Sequence, residues 1–64
     1  MTNRTTPTHA YIVFADGDLD QVCETYEDSR REQRDLREMG CTVTIHRVLW
    51  ADQNAAITVL GSHA

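Results

Sequence analysis

Ala15-Asp16-Gly17-Asp18-Leu19-Asp20-Gln21-Val22-Cys23-Glu24-Thr25-Tyr26 is the stretch on which the architecture turns. Asp16-Gly17-Asp18 breaks whatever precedes it, as clustered aspartate and glycine do. From Leu19 onward, candidate inward positions recur three and four apart, at Leu19, Val22, Cys23, Tyr26, Ser29, Gln33 and Leu36. That spacing predicts one long helix over 19–39, ~30 Å at 1.5 Å per residue. Asp18 stands where an N-cap belongs, and Gly40 where a C′ glycine belongs. Acids (Asp20, Glu24, Glu27, Asp28) crowd the early half and bases (Arg30, Arg31, Arg34, Arg37) the later half, as the helix dipole favours. Glu27–Arg31, Arg31–Asp35 and Arg34–Glu38 are spaced for i,i+4 pairing. The apolar stripe weakens around Ser29, Arg30 and Gln33, which implies close approach to a sheet at Ser29 or a polar partner there.

Upstream, residues 9–15 read His-Ala-Tyr-Ile-Val-Phe-Ala, a strand by composition. Ala10, Ile12 and Phe14 fall on one face; Tyr11, Val13 and Ala15 fall on the other. Both faces are apolar, so both should be buried. Downstream, Cys41, Val43 and Ile45 alternate with Thr42, Thr44 and His46, a second strand over 41–50. Alternation fails at Val48-Leu49-Trp50, through a bulge or a strand end entering an interface. Residues 51–54 read as a turn. Residues 55–60 divide: Ile57, Thr58 and Val59 favour a strand, whereas Asp52, Ala55, Ala56 and Gly61 favour a short helix. The strand is the reading taken.

The sum is an α+β class chain: a small β-α-β-β unit with one long helix on a two- or three-stranded sheet. Strand, helix and strand make a parallel βαβ unit with a right-handed crossover. Residues 1–8 read as a flexible tail, 9–60 as a single domain and 61–64 as a frayed end containing His63. One helix covers one face of a sheet, so the other face needs a second chain, by default an identical one. Tyr11, Val13, Val48 and Trp50 are the expected homodimer interface.

Sixty-four residues bury only ~60% of their unfolded surface, so stability is marginal. The longest apolar run, residues 10–15, is far too short to span a bilayer. The polar start lacks a signal-peptide core, and two cysteines form no disulfide framework; both fit a reducing cytoplasm. A straight helix would hold Cys23 and Cys41 ~25 Å apart along its axis, too far for a bridge. The net charge of −4, from ten acids and six bases, argues against phosphate-backbone binding. It permits binding to a basic protein surface or mimicry of nucleic acid. All six bases are arginine, which suits bidentate pairing with carboxylates; codon bias explains the same fact.

Candidate chemistry is thin. Asp16, Asp18 and Asp20 open like a calcium loop with Glu27 at the twelfth position, but Gln21 stands where that loop needs glycine. Asp16 and Asp18 after an apolar strand resemble the Asp-x-Asp pair of haloacid dehalogenase-type phosphotransferases over residues 12–18. That family's following threonine is replaced by Leu19 and Asp20, so its activity is not carried over. His9 and Cys41, at the starts of two parallel strands, would be neighbours, yet two ligands do not make a zinc site. His46 belongs to the polar face of its strand. Ser29, Ser62, the cysteines and the histidines yield no nucleophile–base set. The reading is a non-enzyme without cofactor.

The function expected is a small acidic protein–protein interaction module, an inhibitor or regulator of another macromolecule. In size and charge it is similar to the compact acidic inhibitors that bacteriophages direct against host machinery or defence, a likeness carried by no motif. Its expected partner-binding surface is Asp20, Glu24, Glu27, Asp28, Arg30 and Arg34. One alternative is a metal-dependent small enzyme or enzyme subunit using Asp16, Asp18 and Asp20. A weaker one is a nucleic-acid-binding regulator using Arg30, Arg34 and Arg37.

Overall fold

The computed structural model describes residues 6–61. The elements are β1 (His9–Ala15), β2 (Asp18–Cys23), α1 (Tyr26–Glu38), β3 (Val43–Leu49), a 3-10 turn (Trp50–Asp52) and α2 (Gln53–Gly61). The class is α+β, but the order is β-β-α-β-α. The sheet is three-stranded with order β2-β1-β3, and β1 is antiparallel to both neighbours.

The single long helix over 19–39 is not formed; its first turns are β2. Asp16 and Gly17 carry positive φ values of 52° and 88° and close a two-residue hairpin with Ala15 opposite Asp18. Such a loop needs left-handed backbone at both central positions, which Asp-Gly supplies. The Asp16 amide donates to the Thr42 carbonyl at 2.8 Å, and the Asp16 carboxylate accepts from the Thr42 amide at 2.9 Å. The hairpin end is thereby tied to the start of β3. A register shift between Val13 and Phe14 bulges the β1–β2 ladder, so alternation along β2 is broken.

The helix starts at Thr25 rather than Asp18. The Thr25 hydroxyl accepts from the Asp28 amide at 3.1 Å, the N-cap geometry. Its end is as expected: Gly40 has φ 89°, its amide reaches the Arg37 carbonyl, and the Cys41 amide reaches Leu36, a Schellman motif. The expected βαβ unit, with the strand over 9–15 parallel to the strand over 41–50, is not formed. β2 and β3 both run against β1, so they are parallel to each other, and α1 joins them across the intervening β1. β1 and β3 are antiparallel, not parallel. His9 therefore sits opposite Leu49, while Cys41 lies at the far end by Asp16, and the two are not neighbours.

β1 is buried on both faces, but one chain supplies both covers. Under α1, Val13, Cys23, Leu36 and Val43 form a cluster with Tyr11, Ala15, Cys41 and Ile45 packed against it. On the opposite face Ala10 and Ile12 are fully buried and Phe14 is 5% exposed. There Phe14 meets the His46 ring edge-on at 5.8 Å, and α2 crosses all three strands. Residues 55–60 are thus helical. Ala55, Ala56 and Gly61 prevail because a helix can lay its side chains across an apolar face that a further edge strand would leave open. Alternation fails at Trp50 because the strand stops at Leu49 and a 3-10 turn begins. The Trp50 amide donates to the Thr8 carbonyl at 3.0 Å, so the tail expected over 1–8 is held at that residue; residues 1–5 and 62–64, with His63, lie outside the described residues.

Candidate functional site

α1 divides its surface by charge. Ser29 and Leu36 face the sheet and are buried. Tyr26, Arg30, Gln33 and Arg37, at i, i+4, i+7 and i+11, form the flank toward β3. Asp28, Glu32 and Asp35, at i, i+4 and i+7, form the flank toward β2. Glu27, Arg31, Arg34 and Glu38 look outward, with Arg31 held loosely to Asp28 at 3.5 Å and Arg34 to Asp35 at 3.7 Å. Such exposed pairs contribute ~0–1 kcal/mol each.

On the β3 side a groove of about 750 Å³ lies between α1 and the sheet margin. Arg30 and Arg37 enter it from α1 and Arg47 from β3, over a floor of Tyr11 and Ile45; its lining contains no carboxylate. The Tyr11 and Tyr26 rings meet at 5.8 Å, tilted by 56°. Arg30 lies over the Tyr26 ring at 5.7 Å and donates to its hydroxyl at 3.0 Å. This contact sets the guanidinium against the wall with donors left over.

The β2 side is its opposite. A hollow of about 300 Å³ is lined by Glu24, Asp28, Glu32 and Asp35 with Arg31. Partial burial pushes the Glu32 carboxyl above its usual value; a hydrogen bond to Asp20 and the charges of Asp20 and Asp35 push the same way. Cys23 is a buried thiol, its pKa raised by burial and then by Asp28 and Glu32. Desolvation and the neighbouring Asp16 raise Cys41 likewise. The helix-length argument against bridging these cysteines falls with the helix itself, and both are free thiols.

The expected interface residues do not share a surface. Tyr11 and Val13 lie under α1, with Val13 fully buried; Val48 lies on the α2 side, and Trp50 starts the 3-10 turn. The expected partner surface is split as well. Asp20, Glu24 and Asp28 fall at the β2 margin, Glu27 and Arg34 on the outer helix face, and Arg30 in the groove. Asp16 is the first residue of the hairpin turn and Asp18 closes it, rather than opening a calcium loop, and Glu27 lies in α1. Among the described residues no three His, Cys, Asp or Glu side chains converge as metal ligands. Nor is any described helix long and apolar enough to cross a membrane.

Arg47 belongs to no site expected from the sequence, Gln33 is expected only as an inward helix position, and Tyr11 is expected in a homodimer interface rather than in this groove. The helix half of the groove is written in the spacing of Tyr26, Arg30, Gln33 and Arg37; only the sheet register adds Arg47. Comparison with protein-family models, curated proteins and solved structures finds no match to this chain.

Proposed function

We propose that this protein is a small interaction module that binds another protein and thereby blocks or regulates it. The observation that supports this reading is the segregation of charge across one small fold. An arginine-lined groove flanks the β3 margin and a carboxylate-lined hollow flanks the β2 margin, on a chain of net charge −4. Opposed fields of this kind orient a partner and exclude like-charged surfaces. Both margins are sheet edges among the described residues, which adds unpaired backbone groups to the charged side chains.

The nucleic-acid reading gains Arg47 beside Arg30 and Arg37 but loses Arg34 to the outer helix face, and the tyrosines that line the groove are already engaged. Tyr26 already stacks with Tyr11 and carries Arg30 on its ring. The test is affinity capture from the cells of origin with the wild-type chain and with the double variant Arg30→Glu/Arg37→Glu, each confirmed folded by its melt. A protein retained by the first and lost by the second is the expected result. Identical capture by both, or retention of nucleic acid alone, overturns the reading.

A further inference from the structure

β3 differs from β2 as an edge. The β2 ladder is bulged and studded with Asp18 and Asp20, the devices that keep other strands away. β3 keeps unbroken register with β1 over seven pairs, from His9 opposite Leu49 to Ala15 opposite Val43, with no proline or carboxylate along it. Among the described residues its other side has no strand partner.

The two faces of that open edge differ in chemistry. On the α1 side Ile45 and Arg47 border the groove that receives Arg30 and Arg37. On the α2 side His46 and Val48 border a cleft of about 610 Å³ walled by Ala55, Ala56, Val59 and Leu60, with Asp52 at its rim and Ile45 and Arg47 reaching it along the strand edge. A strand added beside β3 sends alternate side chains to these two faces, with same-side residues ~6.6 Å apart. One set meets three guanidiniums; the other meets a mainly aliphatic wall, with His46 and Asp52 beside it.

We infer that β3 is a docking edge for an extended segment of a partner protein in which acidic and apolar residues alternate, its carboxylates taken by Arg30, Arg37 and Arg47 and its apolar side chains by the α2 cleft. The inference deepens the interaction-module reading and rests on it. Charge selects this occupant over others. A second copy docked edge to edge through β3 would set two arginine grooves along one seam. The β2 of a second copy is acidic but bulged. Residues 1–5 of the chain itself contain no carboxylate.

The probe is a capped octapeptide alternating glutamate and valine, titrated into the intact protein and followed by amide NMR shifts. Saturable binding with shifts confined to β3, Arg30, Arg37 and the 55–60 segment is expected. Alternate backbone N-methylation of the peptide, in the register facing β3, should weaken it about tenfold or more, because strand addition needs those donors. Arg30→Gln/Arg37→Gln should weaken it about tenfold or more and flatten its salt dependence. A block peptide of the same composition should bind at least tenfold more weakly. No shift at β3 at millimolar peptide, indifference to N-methylation, tighter binding of an oligothymidylate, or self-association that protects β3 overturns the inference. A partner captured in cells whose footprint falls on the β2 margin would also overturn it while leaving the interaction-module reading intact. Peptide binding as expected, with no partner lost on charge reversal, would uphold the docking edge and defeat that wider reading.

Discussion

Asp16 does two things that a plain side chain does not: it holds left-handed backbone in the hairpin turn, and its carboxylate accepts from the Thr42 amide. Asp16→Ala keeps neither at low cost. A left-handed non-glycine residue costs ~1–2 kcal/mol, and the lost acceptor ~1 kcal/mol. The urea midpoint should fall by the equivalent of ~2 kcal/mol with an unchanged slope, and Asp16→Asn should recover most of it. Equal stability of Asp16→Ala and the parent would show that the hairpin does not depend on this turn. Glu32 gives a pH signature. Its carboxyl pKa is raised in the fold, by burial first and then by Asp20 and Asp35. The folded state therefore holds its proton more tightly than the unfolded chain does. Stability from protonation is present below the ordinary carboxylate pKa and is lost as pH rises through the raised value. Glu32→Gln should raise Tm at pH 7, with the advantage vanishing as pH falls through the carboxylate range. A variant that gains nothing at pH 7, or gains equally at pH 3, would contradict this sign.

At the scale of elements, α1 can approach the sheet because Ser29 is small. It is fully buried, with its hydroxyl donating to the Tyr26 carbonyl at 2.6 Å, so no polar atom is stranded. Ser29→Leu should overpack this contact and cost ~1–3 kcal/mol, visible as a lower Tm, whereas Ser29→Ala should cost less. An unchanged Tm for the leucine variant would mean that the helix floats off the sheet. This close approach was legible in the weak stripe at Ser29, as were the whole of β1 and the Gly40 stop. β2 was not, for a physical reason. Leu19, Val22, Cys23 and Tyr26 are spaced as a helix face, while the bulge at Val13/Phe14 removes the alternation that would mark a strand. The signal that outranks that spacing is Asp16-Gly17, a two-residue hairpin loop directly after an apolar strand. Likewise Thr25 with Asp28 marks the true helix start. α2 was balanced between two readings because Ile57, Thr58 and Val59 are β-formers locally; only the apolar face of β1 decides for a helix. Of the groove, Arg30 and Arg37 were visible on one element, whereas Arg47 joins them through β1–β3 register, which no local pattern encodes.

On the whole-molecule scale, the question is what covers the second face of β1. A chain with one helix needs another chain; this chain has α2. Ala10, Ile12 and Phe14 are sealed beneath it, so the argument for a homodimer through Val48 and Trp50 loses the uncovered face of β1 on which it rested. A route to self-association through the described β3 edge would juxtapose Arg30, Arg37 and Arg47 of two copies with their own counterparts. Intact protein should therefore sediment at the single-chain mass of 7.3 kDa from micromolar to near-millimolar concentration. A chain ending at Asp52 should behave differently. Its loss of α2 bares three side chains that are 5% exposed or less, on a domain small enough for stability to be only a few kcal/mol. It should lose its cooperative melt or associate through the bared face. Substituting that face in the truncated chain, with Ile12→Thr and Phe14→Thr together, should suppress association without restoring the melt, because the core then lacks apolar area to fold alone. An intact chain that sediments as two copies while Arg47→Glu leaves the mass unchanged would place the contact away from β3. A truncated chain that melts sharply as a monomer would show that α2 is dispensable to the fold.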